Sequence, residues 1–336
     1  MDHDTINNIV NGYIRDNLSP KPEQRAYIAE KYVELKGFLD GVCFRSGSYP
    51  RYTSIDPVHD LDVIYPVTDV TVRDDPTILI HQLWKQLEDR YKNSSTQVKR
   101  VYAQTHSVTV ELADSPEGDF SIDIVPAIEL KEKNEYSQAL YSVPEILRLN
   151  RRNRQQRYDK ASERPIGWIK SDPRGYIKAS SDLNEANSDF RHAAKLVKGW
   201  RHACKMAYKD DFKLKSFHLE QIVSMFFKAN PNFSTIEAVV ACLKALPDHL
   251  SSAQIPDRAD STRLIDGYVD SLTDAERTLI IRLQADALLI AQQLPACVNK
   301  EDVFDNLKTL TTVTKPRQFV ASPIARNITP RQPWAY

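Results

Sequence analysis

The chain has 336 residues, 41% of them hydrophobic, and its 45 Lys and Arg residues are matched by 45 Asp and Glu residues. That apolar content can bury a substantial core in one large domain or two intimate lobes, and with a zero balance the bulk charge does not identify a dedicated nucleic-acid binder. Cys43, Cys204, Cys242 and Cys297 have no metal-ligand spacing, so they read as reduced, buried thiols rather than a disulfide framework or structural zinc site; with no N-terminal apolar run and no stretch long enough to cross a bilayer, the chain reads as cytoplasmic, without a membrane partner.

After Ser19-Pro20 the four-and-three spacing of Ile28, Tyr32, Leu35 and Leu39 predicts a helix packed as a spine behind the core. Strand-like runs follow at residues 42–49, 61–67, 98–103, 107–112 and 120–126, interrupted by an amphipathic helix over 76–91. This order predicts a mixed sheet with helices on one face, ending near Ala127. From 148 to 178 the chain is basic, with Arg151, Arg152, Arg154, Arg157 and Arg174, and carries the turn signal Ser171-Asp172-Pro173-Arg174-Gly175. It reads equally as a solvated connector or as a rim for phosphates, on which Trp168 and Tyr176 offer faces to bases.

Between 185 and 208 an apolar helical stripe of Ala193, Val197, Trp200, Cys204 and Ala207 runs beside a cationic one of Arg191, Lys195, Lys198, His202 and Lys205. Such a stripe is usually a wet face. Ser216 stands where an N-cap is expected, before the apolar run Ile222, Val223, Phe226 and Phe227, and a helix start there also suits an anion. Helices are predicted over 235–246, 274–294 and 300–311, with Pro256-Asp257 in a turn between them. Beyond 315 prolines and lost periodicity predict a surface tail. The organisation is thus a helical spine over 1–40, a core with its basic connector over 41–185, a helical lobe over 186–314 that closes a cleft, and a tail over 315–336.

The chemistry is concentrated in Gly47-Ser48-Tyr49-Pro50-Arg51-Tyr52-Thr53, Asp60-Leu61-Asp62 and Asp123. Residues two apart on a strand share a face, so Asp60 and Asp62 project together, and Asp123 joins them only from a neighbouring strand. A lone Asp-x-Asp is most often a turn or surface pair. Here Leu61, Val63, Ile64, Ile122, Ile124 and Val125 surround the carboxylates, where an unpaired charge is costly. Three hard oxygen ligands suit magnesium, with manganese as the alternative, and two such ions can hold the attacking and leaving oxygens of a phosphoryl transfer. Gly47 lets the backbone approach a phosphate, and Ser48 adds a hydroxyl and an amide donor.

Gly47-Ser48-Tyr49, Asp60-x-Asp62 and Asp123 resemble the active-site pattern of the polymerase-β-like nucleotidyltransferases. Further details resemble one branch, the CD-NTases, bacterial relatives of cyclic GMP-AMP synthase and oligoadenylate synthetase: Thr53 in its run, Asp123-Ile124-Val125-Pro126-Ala127, and Lys215-Ser216-Phe217-His218-Leu219-Glu220. The similarity spans residues from about 40 to about 295 and rests on these short motifs. It implies an α+β fold, a polymerase-β-like mixed-sheet core with a C-terminal helical lobe. It also implies Asp60, Asp62 and Asp123 as catalytic metal ligands, and Lys198, with Lys195 as second choice, against a triphosphate that Ser48 and Ser216 also touch. Phe217 would stack on a base, although it lacks the hydroxyl of its relatives' tyrosine, and Pro256-Asp257 resembles a segment facing the base.

The resemblance further implies a cyclic di- or trinucleotide signal made from nucleoside triphosphates, a separate effector protein that senses it, and a role in anti-phage defence. In some such systems a partner protein engages the tail, for which Pro333-Trp334-Ala335-Tyr336 offers a handle. No cluster of zinc ligands resembles the DNA sensor of the animal enzyme, so no obligate DNA activator is expected. The same carboxylates also fit an enzyme that adds nucleotides to RNA ends, of the CCA-adding or poly(A) type, or a catalytically silent nucleotide-binding subunit.

Overall fold

The computed structural model describes residues 1–67, 76–116, 118–146 and 166–315. The arginines at 151, 152, 154 and 157, and the tail with Pro333-Trp334-Ala335-Tyr336, lie outside the described residues.

Two helices open the chain, α1 (His3–Asn17) and α2 (Pro22–Phe38). Then come β1 (Phe44–Ser46), β2 (Asp60–Pro66), α3 (Pro76–Lys92), β3 (Val98–Ala103), β4 (Val108–Leu112) and β5 (Phe120–Lys133). The sheet runs β1-β2-β5-β4-β3, with β2 and β5 parallel and the other neighbours antiparallel. It does not end near Ala127: β5 continues to Lys133 and pairs with β6 (Ala139–Ile146), which pairs with β7 (Ile166–Ser171). Alternation decides the faces. Leu61, Val63, Val108, Val110, Ile122 and Ile124 turn to one side and are sealed by Ile28, Leu35 and Leu39 of α2 and Ile80, Leu83 and Leu87 of α3. Each such fully buried side chain is worth about 1.5–3 kcal/mol. The opposite face, at Asp60, Asp62, Thr109 and Asp123, is left for chemistry.

The predicted turn at Ser171–Gly175 is instead a helix start. Asp172 is the N-cap of α4 (Pro173–Ala186), and its carboxylate accepts from the Gly175 amide, with Pro173 in the first turn. The single helix expected over 185–208 is accordingly the end of α4 followed by α5 (Asp189–Tyr208). α6 (Ser216–Ala229), α7 (Thr235–His249), α8 (Asp274–Gln293) and α9 (Lys300–Leu310) complete the second lobe. Capping boxes at Ser234 with Glu237 and at Thr273 with Glu276 fix the starts of α7 and α8. Ser216 is not the N-cap of α6: Lys215 holds that position with extended backbone, and Ser216 is the first helical residue.

The expected N-terminal spine divides between two cores. α2 covers the sheet, whereas Ile6, Val10, Tyr13 and Ile14 of α1 join Phe190, Trp200, Leu219, Phe227, Leu243 and Leu307 in the helical lobe.

A buried ion network joins the lobes. Glu220 of α6 accepts from Arg51 Nε at 2.5 Å and from Thr53 Oγ1 at 2.8 Å, and it pairs with Lys198 of α5. Lys198 Nζ also donates to the Thr53 carbonyl at 3.1 Å and to its hydroxyl at 3.0 Å. All four residues are buried. Burial alone would push the Glu220 carboxyl up, but Arg51 and Lys198 hold it down to about 2 from an ordinary 4.5. Its stabilisation is therefore complete above about 4.5 and is lost as pH falls toward 2. Replacing Glu220→Gln leaves two buried cations without a counter-charge, and the expected loss is roughly 3–5 kcal/mol in urea unfolding at pH 7. A loss below 1 kcal/mol would show that the network does not hold the lobes together.

Candidate active site

Strand register assembles the site. Ser46 of β1 lies opposite Asp62, Asp62 opposite Asp123, and Asp123 opposite Thr109, so one rung crosses four strands. Asp60 stands two residues before Asp62 on the same face. Thr109 Oγ1 donates to Asp123 Oδ1 at 2.5 Å, and Gln104 Nε2 reaches the same oxygen at 3.5 Å, which orients that carboxylate. Thr109 of β4 and Gln104, just past the end of β3, escaped the sequence reading, because a polar residue in or beside a strand becomes informative only once the neighbouring strand is known.

Gly47 follows Ser46 directly and has φ +69°, in the left-handed region. A Cβ there would lie 1.7 Å from Asp62 Oδ2, so the absence of a side chain is what lets the turn close over this carboxylate. The Thr53 amide donates to the Ser48 carbonyl at 3.1 Å and folds the turn back on itself.

Ser48, Asp60, Lys198 and Ser216 all line one cavity of about 210 Å³, together with Thr53, His59, Arg201 and His202. Four predicted site residues from distant parts of the chain are thereby brought together. Arg201 and His202 stand three and four residues after Lys198, on the same side of α5. That spacing is the signal by which Arg201, absent from the predicted stripe, is recognised as a neighbour of Lys198. The Lys198 ammonium is engaged by Glu220 and Thr53. With Arg51 counted, two cations face one carboxylate, which leaves a surplus positive charge at this wall.

Lys195 points elsewhere. It donates to Ser19 Oγ at 2.8 Å and lines a second cavity of about 180 Å³ with Arg25, Arg45, Tyr49 and Tyr52. Burial, reinforced by the charges of Arg25, Arg191 and Lys198, lowers its pKa to about 8. Phe217 is half-buried, edge-on to Tyr176 with ring centroids 5.2 Å apart, under the Arg51 guanidinium at 5.0 Å. The Tyr176 hydroxyl donates to Asp257 Oδ2 at 3.4 Å, so Phe217, Tyr176 and Asp257 form one group. Trp168 lies on β7, paired opposite Pro144 of β6.

The carboxylates fit a divalent cation on electrostatic grounds. Burial, then the charges of Asp60 and Asp123, push Asp62 up to about 7, and burial also raises Asp123. Crowded, partly desolvated acids of this kind are relieved by a cation among them. Asp62, Asp60 and Asp123 are therefore the residues that could hold metal.

Two outcomes follow. Because Asp62 keeps its proton longer in the folded state than in the unfolded one, the metal-free protein loses stability as pH rises from about 3.8 to about 7. Asp62→Asn should then stabilise the metal-free chain by on the order of 3 kcal/mol more at pH 8 than at pH 4.5 in urea unfolding; an equal effect at both values would contradict the burial and crowding of this carboxylate. Gly47→Ala should keep the fold by circular dichroism, yet displace Asp62 and lower turnover by about 100-fold or more.

Residues 13–145 match the family model of the Second Messenger Oligonucleotide or Dinucleotide Synthetase domain, SMODS. Among solved structures, the chain is similar to CdnC of E. coli MS115-1 in a CdnC:HORMA-deltaN complex, at 17% identity and TM-score 0.66, covering 93% of this chain and 97% of that one. CdnC with ATP gives 18% identity and TM-score 0.66, covering 93% and 98%. The Vibrio cholerae DncV cyclic AMP-GMP synthase, described as a prokaryotic cGAS homolog, gives 14% identity and TM-score 0.55, covering 80% and 68%. No curated protein matches the chain. Among the described residues no helix is long and apolar enough to cross a membrane. The rung of aspartates thus sits inside the segment that matches the Second Messenger Oligonucleotide or Dinucleotide Synthetase model, and the α+β fold, a mixed sheet beside a helical lobe, is shared with the CdnC and DncV structures.

Proposed function

We propose that this protein joins nucleoside triphosphates into a cyclic di- or trinucleotide and releases pyrophosphate at each bond formed. The observation that carries the reading is the rung Ser46–Asp62–Asp123–Thr109, with Gly47 closed over Asp62 beside a cavity lined by Ser48, Asp60, Lys198, Arg201 and Ser216. The names of similar proteins support it: DncV is described as a cyclic AMP-GMP synthase, and one of its structures holds the linear intermediate 5' pppA(3',5')pG.

In this reading Asp60, Asp62 and Asp123 hold two magnesium ions, with manganese as a substitute. Bound there, the metal supplies a lowered pKa for the attacking ribose hydroxyl and neutralises charge building on the phosphates. The protein's own residues do the rest. Ser48 and the amides of its turn, Lys198, Arg201 and the start of α6 at Ser216 bind and orient the triphosphate. Arg51 and Glu220 keep Lys198 in place. Phe217, with Tyr176 and Asp257 beside it, faces a base. Asp123, oriented by Thr109, takes the hydroxyl proton as the oxygen attacks the α-phosphate in line with the departing pyrophosphate. The linear product turns in the cleft, and the same groups close the ring.

The product is read as a signal for a separate effector in anti-phage defence, made in the cytoplasm. A protein regulator acting on the tail is consistent with the CdnC:HORMA-deltaN complex recorded for a similar protein.

Incubation of the purified chain with the four nucleoside triphosphates and magnesium, without RNA, should yield phosphatase-resistant cyclic products identified by mass spectrometry. Asp60→Ala/Asp62→Ala should yield none. Label entering added RNA alone would replace the proposal with an RNA-end transferase, and identical behaviour of wild type and double variant in every assay would replace it with a silent binding subunit.

A further inference from the structure

Away from the cavity, three buried side chains converge from separate elements. His218 lies in the first turn of α6, His249 is the last residue of α7, and Asp266 precedes the short helical turn Gly267–Ser271. Their exposures are 1%, 8% and 0%. One ligand atom from each falls within 4.8 Å of the others, and among the described residues this is the group of His, Cys, Asp and Glu donors that closes so tightly.

Hydrogen bonding leaves the group incomplete. His218 Nδ1 lies 2.9 Å from the Tyr268 hydroxyl, but His218 Nε2 is buried without a hydrogen-bond partner, 3.7 Å from Asp266 Oδ2. His249 Nδ1 is likewise buried without a partner. Asp266 accepts from the backbone amides of Gln254, at 3.1 and 3.0 Å, and of Ile255 at 3.0 Å. Burial disfavours the charged form of both imidazoles. Two buried imidazole nitrogens without partners, on residues that cluster with a buried anion, are costly in a dry interior. A neutral imidazole is also the form that ligates metal.

We propose that His218, His249 and Asp266 bind one divalent transition-metal ion, zinc by donor set, which ties the first turn of α6 to the end of α7 and to the loop before residue 267. Two nitrogen donors and one oxygen suit zinc and disfavour magnesium, which takes oxygen ligands. Tetrahedral bonds of about 2.0–2.2 Å place ligand atoms roughly 3.4 Å apart, so the side chains draw in by about 1 Å on binding. A water supplies the fourth ligand. The cysteines gave no sign of such a site, because its donors are imidazole and carboxylate, spread over 49 positions between His218 and Asp266. Its position is informative: Ser216 and Phe217 directly precede His218, so the ion would brace the part of α6 that faces the cleft.

The competing account has the Tyr268 hydroxyl accept from the Lys215 amide, at 3.1 Å, and donate to His218 Nδ1. That puts a hydrogen on His218 Nε2, facing Asp266, and still leaves His249 Nδ1 unpaired. A metal accounts for both nitrogens.

The test uses the full-length Asp60→Asn/Asp62→Asn protein, so that the catalytic carboxylates do not contribute, purified without chelator. Mass spectrometric elemental analysis should find about one zinc per chain. Cobalt added to the stripped protein should give the intense visible bands of a tetrahedral nitrogen-rich site, and His249→Gln should reduce metal retention by about 10-fold or more. Absence of both zinc and tetrahedral cobalt bands in this protein would overturn the proposal, as would unchanged retention in a folded His249→Gln. If that variant does not fold, histidine 15N spectra of the zinc-loaded parent decide: a ligated His218 Nε2 together with a ligated nitrogen of His249 supports the site, and a His218 Nε2–H tautomer refutes it.

Discussion

Everything that faces the cleft depends on where Glu220 puts its carboxylate. It is drawn from the first turns of α6, yet its partners are Arg51 and Thr53 from the loop after the glycine turn and Lys198 from α5. Buried ion pairs are weak sources of net stability, since desolvation offsets much of their attraction, but their geometry is demanding. Here that geometry serves position. One carboxylate sets the shape of the phosphate-facing loop, the reach of a lysine and the angle between two lobes. The Arg51 guanidinium also lies over Phe217, which links the same network to the aromatic group beside the cleft.

On the sheet the opposing tendency operates. Asp62 is crowded by Asp60 and Asp123 on a face that alternation has turned away from the apolar core, and its raised pKa records its burial first and that crowding second. Repulsion of this sort is a debt in the metal-free chain and an advantage for binding a dication. The rigid, fully buried neighbours Leu61, Val63, Ile122 and Ile124 keep the carboxylates from moving apart. Stability stored on one side of each strand is what holds strain on the other.

Much of this was legible in the chain. Period-two alternation located β2 and β5 and assigned the aspartates to one face, and four-three spacing located α2, α3 and the helices of the second lobe within a few residues. Local pattern failed where tertiary partners decide. Asp172-Pro173 looks like a turn but starts a helix, and Pro144 inside β6 speaks against a strand that exists because β5 outruns the core. Lys195 and Lys198 share a stripe, yet three residues of helix separate them by enough rotation to send one ammonium to Ser19 and the other to Glu220. Spacing places side chains on a helix; it does not say what waits opposite them. Thr109 shows the same limit, because its role follows from a register that no single strand encodes.

The division of the N-terminal helices between two cores bears on how the protein is made. The hydroxyls of Tyr13 and Thr311 lie 3.0 Å apart across a separation of 298 residues, and Tyr13 packs edge-on to Phe304. At about 5–20 residues per second, α1 leaves the ribosome roughly 15–60 s before its last partner is synthesised. Until residues from about 190 onward are made, Ile6, Val10 and Ile14 have no native core to enter, and that core is completed only by α9. α2 meets its sheet far sooner. A helix made well before its last partner is thus held by a core that closes late, which makes the helical lobe the slower half to mature.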